Sequence, residues 1–381
     1  MLVVLMDGTL SSLKRGEKTN IGRTYSLLSQ PGAVPDLALH YEPGIQWRGL
    51  RHAHEVIAGV GINHQIKRGY GFLAKNYRPG DKIILMGYSR GAYAVRSLAG
   101  LIDRMGLLRA DELDDRSLER VYFHYRSDPD TEAAQTFKSA RCHAQTHIDF
   151  LGVYDTVRAL GIRWPGLWRF LPVPHPYHNH KLGACTRVGR QALAINESRN
   201  LYQPVIWETD AAQDNDVVQM WFRGRHGDIG GQLSGFHAAR PLSNIPLVWM
   251  LEEVEKYGLK LPHHWQMRFV TDPDAPSTGR FHGYAKYFLI RAVEPLVWTG
   301  PSGCTRRLGM RRGQRVLICL LRPSSRAVWR AGSGRPHAGS RAKDGADSAR
   351  AYPFEHRHKT RPKSLADHWS LEWAVARARA A

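Results

Sequence analysis

Short apolar runs that each stop at a turn constrain this chain more than any other feature. Leu2–Met6 is one such run and ends at Asp7-Gly8-Thr9. Lys82–Met86 is a second, followed by Gly87-Tyr88-Ser89-Arg90-Gly91. Ile148–Tyr154 is a third and ends at Asp155, and Val217–Phe222 is a fourth that ends before Gly224. Runs this short and this apolar suit strands buried on both faces. Between them the period changes. Ile62, Ile66, Tyr70, Leu73 and Tyr77 recur at helical spacing, and Arg78-Pro79-Gly80-Asp81 breaks the pattern. Ala92, Val95, Ala99 and Ile102 form a second helical face; Pro246–Tyr257 reads as a third helix, stopped by Gly258. Alternating strands and helices predict an α/β fold: a mostly parallel sheet with helices on both faces.

The chain has 381 residues, 43% hydrophobic and 23% charged, enough for a sizeable core in one large domain or two ordinary ones. No stretch reaches the roughly 18–20 apolar residues that span a bilayer. The apolar start, Met1–Met6, is too short and lacks the basic opening of a signal peptide. The default expectation is therefore a cytoplasmic protein, with export by a machine that needs no cleaved signal left open. The net charge is +20, but it is unevenly spread. Pro301–Ala381 alone carries 18 basic and 5 acidic residues. Within it, residues 323–363 are rich in Arg, Ser, Gly, Ala and Pro, with too little apolar surface to offset their ordering entropy. The expected division is a catalytic domain over 1–295 and a poorly ordered, Arg-rich tail over 296–381, with a short helix at Leu365–Ala381. A basic tail suits an anionic membrane surface. It lacks any recognised nucleic-acid motif, so nucleic acid is not an expected partner. Its composition is also what an out-of-frame reading of a GC-rich gene gives, and both readings stand.

The chemistry is carried by Gly87-x-Ser89-x-Gly91, set between an apolar run and a helical one. A serine on a sharp strand-to-helix turn has a strained backbone, and small residues on either side let the flanking chain pass closely. Its hydroxyl is then presented at the carboxyl edge of the sheet. The next amide, that of Arg90, lies at a helix start and can stabilise an oxyanion. A serine nucleophile needs a base, and the base needs a group to orient it. Asp155 ends the next strand, at the edge where α/β sheets place their ligands, and is the candidate acid. His226 follows the last strand in Arg223-Gly224-Arg225-His226-Gly227-Asp228 and is the candidate base. Asp228 competes with Asp155 for the acid role, or braces the loop that carries His226. A second oxyanion amide is expected from Gly8 or Thr9, with Asp7 as the rival reading: a hydrogen-bonding brace for the elbow.

Other signals carry less. Cys142, Cys185, Cys304 and Cys319 form no CxxC pair. His52, His54 and Glu55, and separately His175, His178 and His180, read as loop or helix residues before metal ligands. Gly59-Val60-Gly61 lacks the rest of a dinucleotide fingerprint. No cofactor is expected. Between Gly161 and Gly189, Trp164, Trp168, Phe170, Pro172, Pro174 and Pro176 suggest a long ordered loop, suited to an apolar lid.

Several ordered segments together resemble one known family. They are Leu5-Met6-Asp7-Gly8-Thr9, Tyr77-Arg78-Pro79-Gly80-Asp81, Gly87-Tyr88-Ser89-Arg90-Gly91-Ala92-Tyr93, Phe150 to Val157, Trp221 to Gly231, and Leu242 to Leu247 with Trp249-Met250. The family is the bacterial α/β-hydrolase family known as domain of unknown function 2235, which includes type VI secretion lipase effectors of the phospholipase kind. The resemblance covers about Met1 to Ala292 and implies an α/β-hydrolase-like fold. It implies an ester hydrolase with Ser89 as nucleophile, His226 as base and Asp155 at the acid position. The chain departs from the family at Gly230-Gly231-Gln232, where a third glycine and an aromatic are usual, and at Asn196, where aspartate is usual.

Two functions follow as expectations. The first is a serine hydrolase of lipid, phospholipid or small carboxylic esters, acting through an acyl-enzyme. The second is a non-catalytic protein whose basic tail binds anionic membrane or nucleic acid, which the Ser, Asp, His order of the candidates disfavours.

Overall fold

Leu2–Met6 is buried at all five positions, and backbone buried this deeply must find its hydrogen bonds in neighbouring strands on both sides. It finds them. In the computed structural model, this strand (β1) pairs in parallel with β2 (Ala38–Glu42) on one side and β3 (Ile83–Tyr88) on the other. The sheet continues through β4 (Phe150–Tyr154), β5 (Val188–Ala194), β6 (Asp216–Phe222) and a three-residue β7 (Val316–Ile318). Its order is β2-β1-β3-β4-β5-β6-β7, parallel at every pairing. The structure describes residues 1–14, 16–31, 34, 36–45, 60–157, 182–199, 202–208, 216–279 and 316–318.

Seven α-helices are described: α1 (Asn20–Leu28), α2 (Val60–Asn76), α3 (Arg90–Met105), α4 (Asp115–Ser127), α5 (Glu132–Arg141), α6 (His226–Gly230) and α7 (Arg240–Lys256). The two-residue period of the strands sorts the core into two layers. Leu2, Val4, Met6, Ile83, Leu85, Leu151 and Val153 pack with Ile66, Tyr70 and Leu73 of α2 and Val95, Leu98 and Ile102 of α3. On the other face, Met250 of α7 lies against Gly152 of β4. There Leu247, Val248 and Leu251 of α7 cluster with Leu27 of α1, Trp265 and Phe269. The fold is thus α/β with helices on both faces. No described helix is long and apolar enough to cross a membrane.

The chain divides into two units, Met1–Leu321 with Val375–Ala381, and Arg322–Ala374. Every described residue belongs to the first. Three residues beyond 295 join the sheet as β7, pairing with Gln219, Met220 and Trp221. The rest of 296–381, the expected helix at Leu365–Ala381, residues 158–181 with the three histidines of the expected loop, and His52, His54 and Glu55 lie outside the described residues.

Three strands escape the sequence reading: β2, β5 and the short β7. β2 is a half-buried strand that carries His40 and Glu42. β5 is buried throughout yet contains Arg190 and Gln191. Arg190 is tolerated because Glu253 and Asp216 accept from its guanidinium at 2.5 Å each, and Gln191 donates to the Val205 carbonyl at 3.0 Å. The expected helix at Pro246 begins earlier, at Arg240, with Pro246 inside it.

The elbow is set by close contact. Ser89 has φ 57° and ψ −119°, backbone that a non-glycine residue adopts at a cost of about 1–3 kcal/mol. A Cβ on Gly91 would lie 2.2 Å from the Met6 carbonyl oxygen, so α3 starts directly against the end of β1. Beside this contact Asp7 is buried. Its carboxylate accepts from the Gly8 amide at 2.7 Å, and from the Thr19 and Tyr41 hydroxyls at 2.8 Å each. Thr19 in turn caps α1 by accepting from the Gly22 amide at 3.0 Å. Burial pushes the Asp7 carboxyl up from 3.8 to about 6, against the pull of these hydrogen bonds.

Two outcomes are expected. Gly91→Ala separates α3 from β1 and lowers stability by at least about 1–3 kcal/mol, read by thermal or urea unfolding. Asp7 holds its proton more tightly folded than unfolded. Its contribution therefore favours folding below about pH 4 and is lost as pH rises to about 6. The stability of the wild type relative to Asp7→Asn should fall by ~3 kcal/mol between pH 4 and pH 7. Parallel stability curves for the two proteins would contradict this.

Candidate active site

The parallel register brings the carboxyl ends of the central strands to one edge. Met6 pairs with Gly87, Tyr88 with Tyr154, and Tyr154 with Ala192. The residues that follow these ends are Asp7, Ser89 and Asp155, and His226 follows β6. Backbone bonds fix them further. The Ser89 amide donates to the Tyr154 carbonyl at 3.0 Å, and the Asp155 amide to the Ala192 carbonyl at 2.8 Å.

Ser89, His226 and Asp155 meet in one line. The Ser89 Oγ lies 2.9 Å from His226 Nε2, and His226 Nδ1 lies 2.6 Å from Asp155 Oδ2. The three are only 7%, 4% and 0% exposed, so this line of polar atoms is withdrawn from water, where each interaction is stronger. Asp155 Oδ1 also accepts from the Ala194 amide at 3.2 Å. Like Ser89, Asp155 has positive φ, at 41°.

Asp228 lies elsewhere. Its Oδ2 accepts from the Arg225 amide at 2.8 Å and the Ser277 hydroxyl at 2.5 Å, and its Oδ1 accepts from the Thr278 amide at 2.9 Å. It ties the loop bearing His226 to the segment at 277–278 and makes no described contact with the imidazole. Of the two amides expected beside Ser89 on the β1 side, that of Gly8 is already given to Asp7. Thr9 is differently placed: its carbonyl accepts from Gln232 Nε2 at 2.9 Å, and its buried hydroxyl has no hydrogen-bond partner among the described residues. The Arg90 amide opens α3 immediately after Ser89. Burial lowers the Arg90 guanidinium to about 10, with Tyr202 acting the other way.

Sequence reasoning passed over two groups that surround the histidine. Tyr88, inside the elbow motif, is fully buried, and its hydroxyl donates to the His226 carbonyl at 3.3 Å. A Cβ on Gly230 would lie 1.9 Å from the Tyr88 ring, so the glycine four residues after His226 makes room for it. Glu197 and Arg199 form a buried ion pair whose carboxylate accepts from the His226 amide at 3.3 Å. The departure at Asn196 is accommodated: its Oδ1 accepts from the Gly224 amide at 2.8 Å and its own amide donates to the Gly224 carbonyl at 3.0 Å. A signal for Glu197 is present, since Asn196-Glu197 follows an apolar run just as Asp7 and Asp155 do, but Arg190 and Gln191 hide β5 as a strand. Among the described residues no group of three His, Cys, Asp or Glu is arranged to hold a metal ion.

Comparison with known proteins gives relatives of limited overlap. An uncharacterized protein of Saccharomyces cerevisiae is 30% identical over 185 residues, which are 42% of this chain and 27% of that protein. A solved structure of an uncharacterized protein from Pseudomonas aeruginosa has 14% identity and a TM-score of 0.40, over 71% of this chain and 49% of that one. The structure of the Tle1 effector bound to the VgrG spike from the type 6 secretion system has 18% identity and a TM-score of 0.29, over 60% of this chain and 50% of that one. The chain therefore spans about a quarter of the curated relative and about half of each solved chain. A family profile described as "T6SS, Phospholipase effector Tle1-like, catalytic domain" matches residues 1–253, the stretch that contains Ser89, Asp155 and His226. The chain belongs to the family of Tle1-like type VI secretion phospholipase effectors, through their catalytic domain.

Proposed function

We propose that this protein is a serine-dependent hydrolase of carboxylic esters, and that its substrates are lipid or phospholipid esters. The observation that carries the reading is the buried line from Ser89 Oγ through His226 to Asp155, with separations of 2.9 and 2.6 Å. The lipid class comes from the family, whose members are described as phospholipase effectors.

The residues divide the work by position. His226 donates from Nδ1 to Asp155, which leaves Nε2 to accept the proton of Ser89. Ser89 Oγ then attacks the acyl carbonyl carbon, and the carbonyl oxygen gains the negative charge. In this reading the Arg90 amide, at the positive end of α3, and the Thr9 amide donate to that charge. As the tetrahedral adduct collapses, the carbon–oxygen bond to the alcohol breaks, and His226 returns its proton to the departing oxygen. A water molecule, deprotonated by His226, attacks the acyl-enzyme and releases the acid and free Ser89. Asp155 holds the imidazole in the required tautomer and stabilises its cation. The buried setting favours the reading, because preorganised donors act most strongly where water is excluded.

Labelling by a fluorophosphonate probe tests the nucleophile. The wild type should take up the probe and Ser89→Ala should not; equal labelling of the two would remove Ser89 from the mechanism. Asp155→Asn keeps the shape of the acid but not its charge or tautomer control, and kcat on a p-nitrophenyl ester should fall by about 10⁴-fold. Asp228→Asn should cost much less, because Asp228 supports the loop and not the imidazole. The opposite ranking would transfer the acid role to Asp228.

A further inference from the structure

His226 lies in the segment between β6 and α7. It is the first residue of a five-residue helix and is followed by glycines at 227, 230 and 231. A helix of that length has no cooperative stability of its own. Side chains from elsewhere in the fold hold the histidine instead. Its amide, one of the unpaired donors at a helix start, donates to Glu197 Oε2 at 3.3 Å. Its carbonyl accepts from Tyr88. Its ring meets the Tyr88 ring at a centroid distance of 5.0 Å and the Tyr202 ring at 4.6 Å.

Glu197 and Arg199 make a bidentate pair. Arg199 Nε donates to Oε1 at 2.8 Å and Nη2 to Oε2 at 2.6 Å, and both residues are buried. The amides of Ser198 and Arg199 also donate to Oε1, each at 3.0 Å, which locks the carboxylate in place. Burial would raise this carboxyl, but the hydrogen bonds and charge of Arg199 outweigh it and hold it at about 2, so it stays ionised. The Arg199 guanidinium in turn lies 4.0 Å over the Tyr202 ring. The pair therefore reaches His226 by two routes: Glu197 to its backbone, and Arg199 through Tyr202 to its ring. A buried pair that served only to fill space would be replaceable by apolar residues at little cost. This one converges on a single imidazole.

We propose that Glu197 and Arg199, with Tyr202, are positioning residues that fix the backbone and ring of His226 so that Nε2 stays on Ser89. The inference rests on the reading of His226 as the base. The charged and titratable groups that face the histidine are Asp155 and Ser89 at its two nitrogens and Tyr88 from β3. Glu197, Arg199 and Tyr202 face it from the segment after β5. Arg225 and Asp228 lie on its own loop, and Arg90 at the start of α3 acts on Tyr202. The charges of Glu197 and Arg199 offset one another beside the imidazole, so removing either one has a signed effect.

The test uses the full 381-residue chain and p-nitrophenyl butyrate, with kcat and KM followed across pH. Glu197→Gln leaves Arg199 uncompensated, which disfavours the imidazolium. The midpoint of the acid limb of kcat/KM should move down by on the order of one pH unit. Arg199→Gln leaves Glu197 uncompensated and should move the midpoint up. In both, kcat should fall by about 10²-fold through misplacement of the base, with KM unchanged. Arg199→Lys, which keeps the charge, should restore the wild-type midpoint and part of kcat. Midpoints that stay at the wild-type value, or activity lost only in proportion to unfolded protein by circular dichroism, would overturn the proposal. Should Glu197→Gln fail to fold, the Arg199→Gln and Arg199→Lys pair decides alone: an unmoved midpoint in Arg199→Gln overturns it. Fluorophosphonate labelling of the wild type separates the two failures. A wild type that is not labelled at Ser89 brings down the serine hydrolase itself, whereas labelled protein with unmoved midpoints brings down only the positioning role.

Discussion

The contact between Gly91 and the Met6 carbonyl oxygen decides where everything else at the sheet edge can go. A Cβ there would stand 2.2 Å from that oxygen, so only glycine lets α3 begin against the end of β1. Just before α3, Ser89 takes left-handed backbone at φ 57°, with its hydroxyl on His226 Nε2. The strain is held by the sheet. The Ser89 amide is bonded to the Tyr154 carbonyl at 3.0 Å, and its own carbonyl accepts from the Tyr93 amide at 3.2 Å, the first turn of α3. Sheet register then does the rest, because parallel strands end together. With Tyr88 opposite Tyr154, the next residues, Ser89 and Asp155, are neighbours by construction.

The carboxylates at this edge divide by their partners. Asp155 faces the imidazole. Asp7 holds the first loop to α1 and β2 through Thr19 and Tyr41, and Asp228 holds the histidine loop through Ser277 and Thr278. Glu197 is bound to Arg199 and the His226 amide. Four acidic residues of similar sequence setting thus have four different jobs, and each is identified by the donor it meets. The loops that carry Asp155 and His226 are fastened to the rest of the fold by these carboxylates.

Much of this was legible in the sequence, for physical reasons that also explain the gaps. β1, β3 and β4 announce themselves because they are buried throughout and almost wholly apolar, and β6 does so through its buried end, Met220–Phe222. β5 did not, because it buries Arg190 and Gln191, whose partners Glu253, Asp216 and Val205 lie far away in the chain. β2 did not, because it is half-buried and polar. The elbow was readable from two glycines and a serine in a fixed frame. Which aspartate meets His226 was not, since Asp155 and Asp228 each follow a strand closely and only the three-dimensional placement separates them. The Gly8 amide is the clearest difference: it reads as a donor for substrate, yet the preceding Asp7 side chain folds back and takes it at 2.7 Å. The one signal for the Glu197–Arg199 pair, Asn196-Glu197 after an apolar run, is hidden together with β5, which it follows.

The central claim is that Ser89 becomes covalently acylated with His226 as its base. The most direct measurement is rapid-mixing kinetics on p-nitrophenyl butyrate, followed by peptide mapping of acid-quenched protein. The account predicts a burst of p-nitrophenol close to one equivalent per chain, with the butyryl group on the peptide that contains Ser89. Steady ester hydrolysis with no burst and an unmodified Ser89 peptide, under conditions where deacylation is slowed, would contradict it.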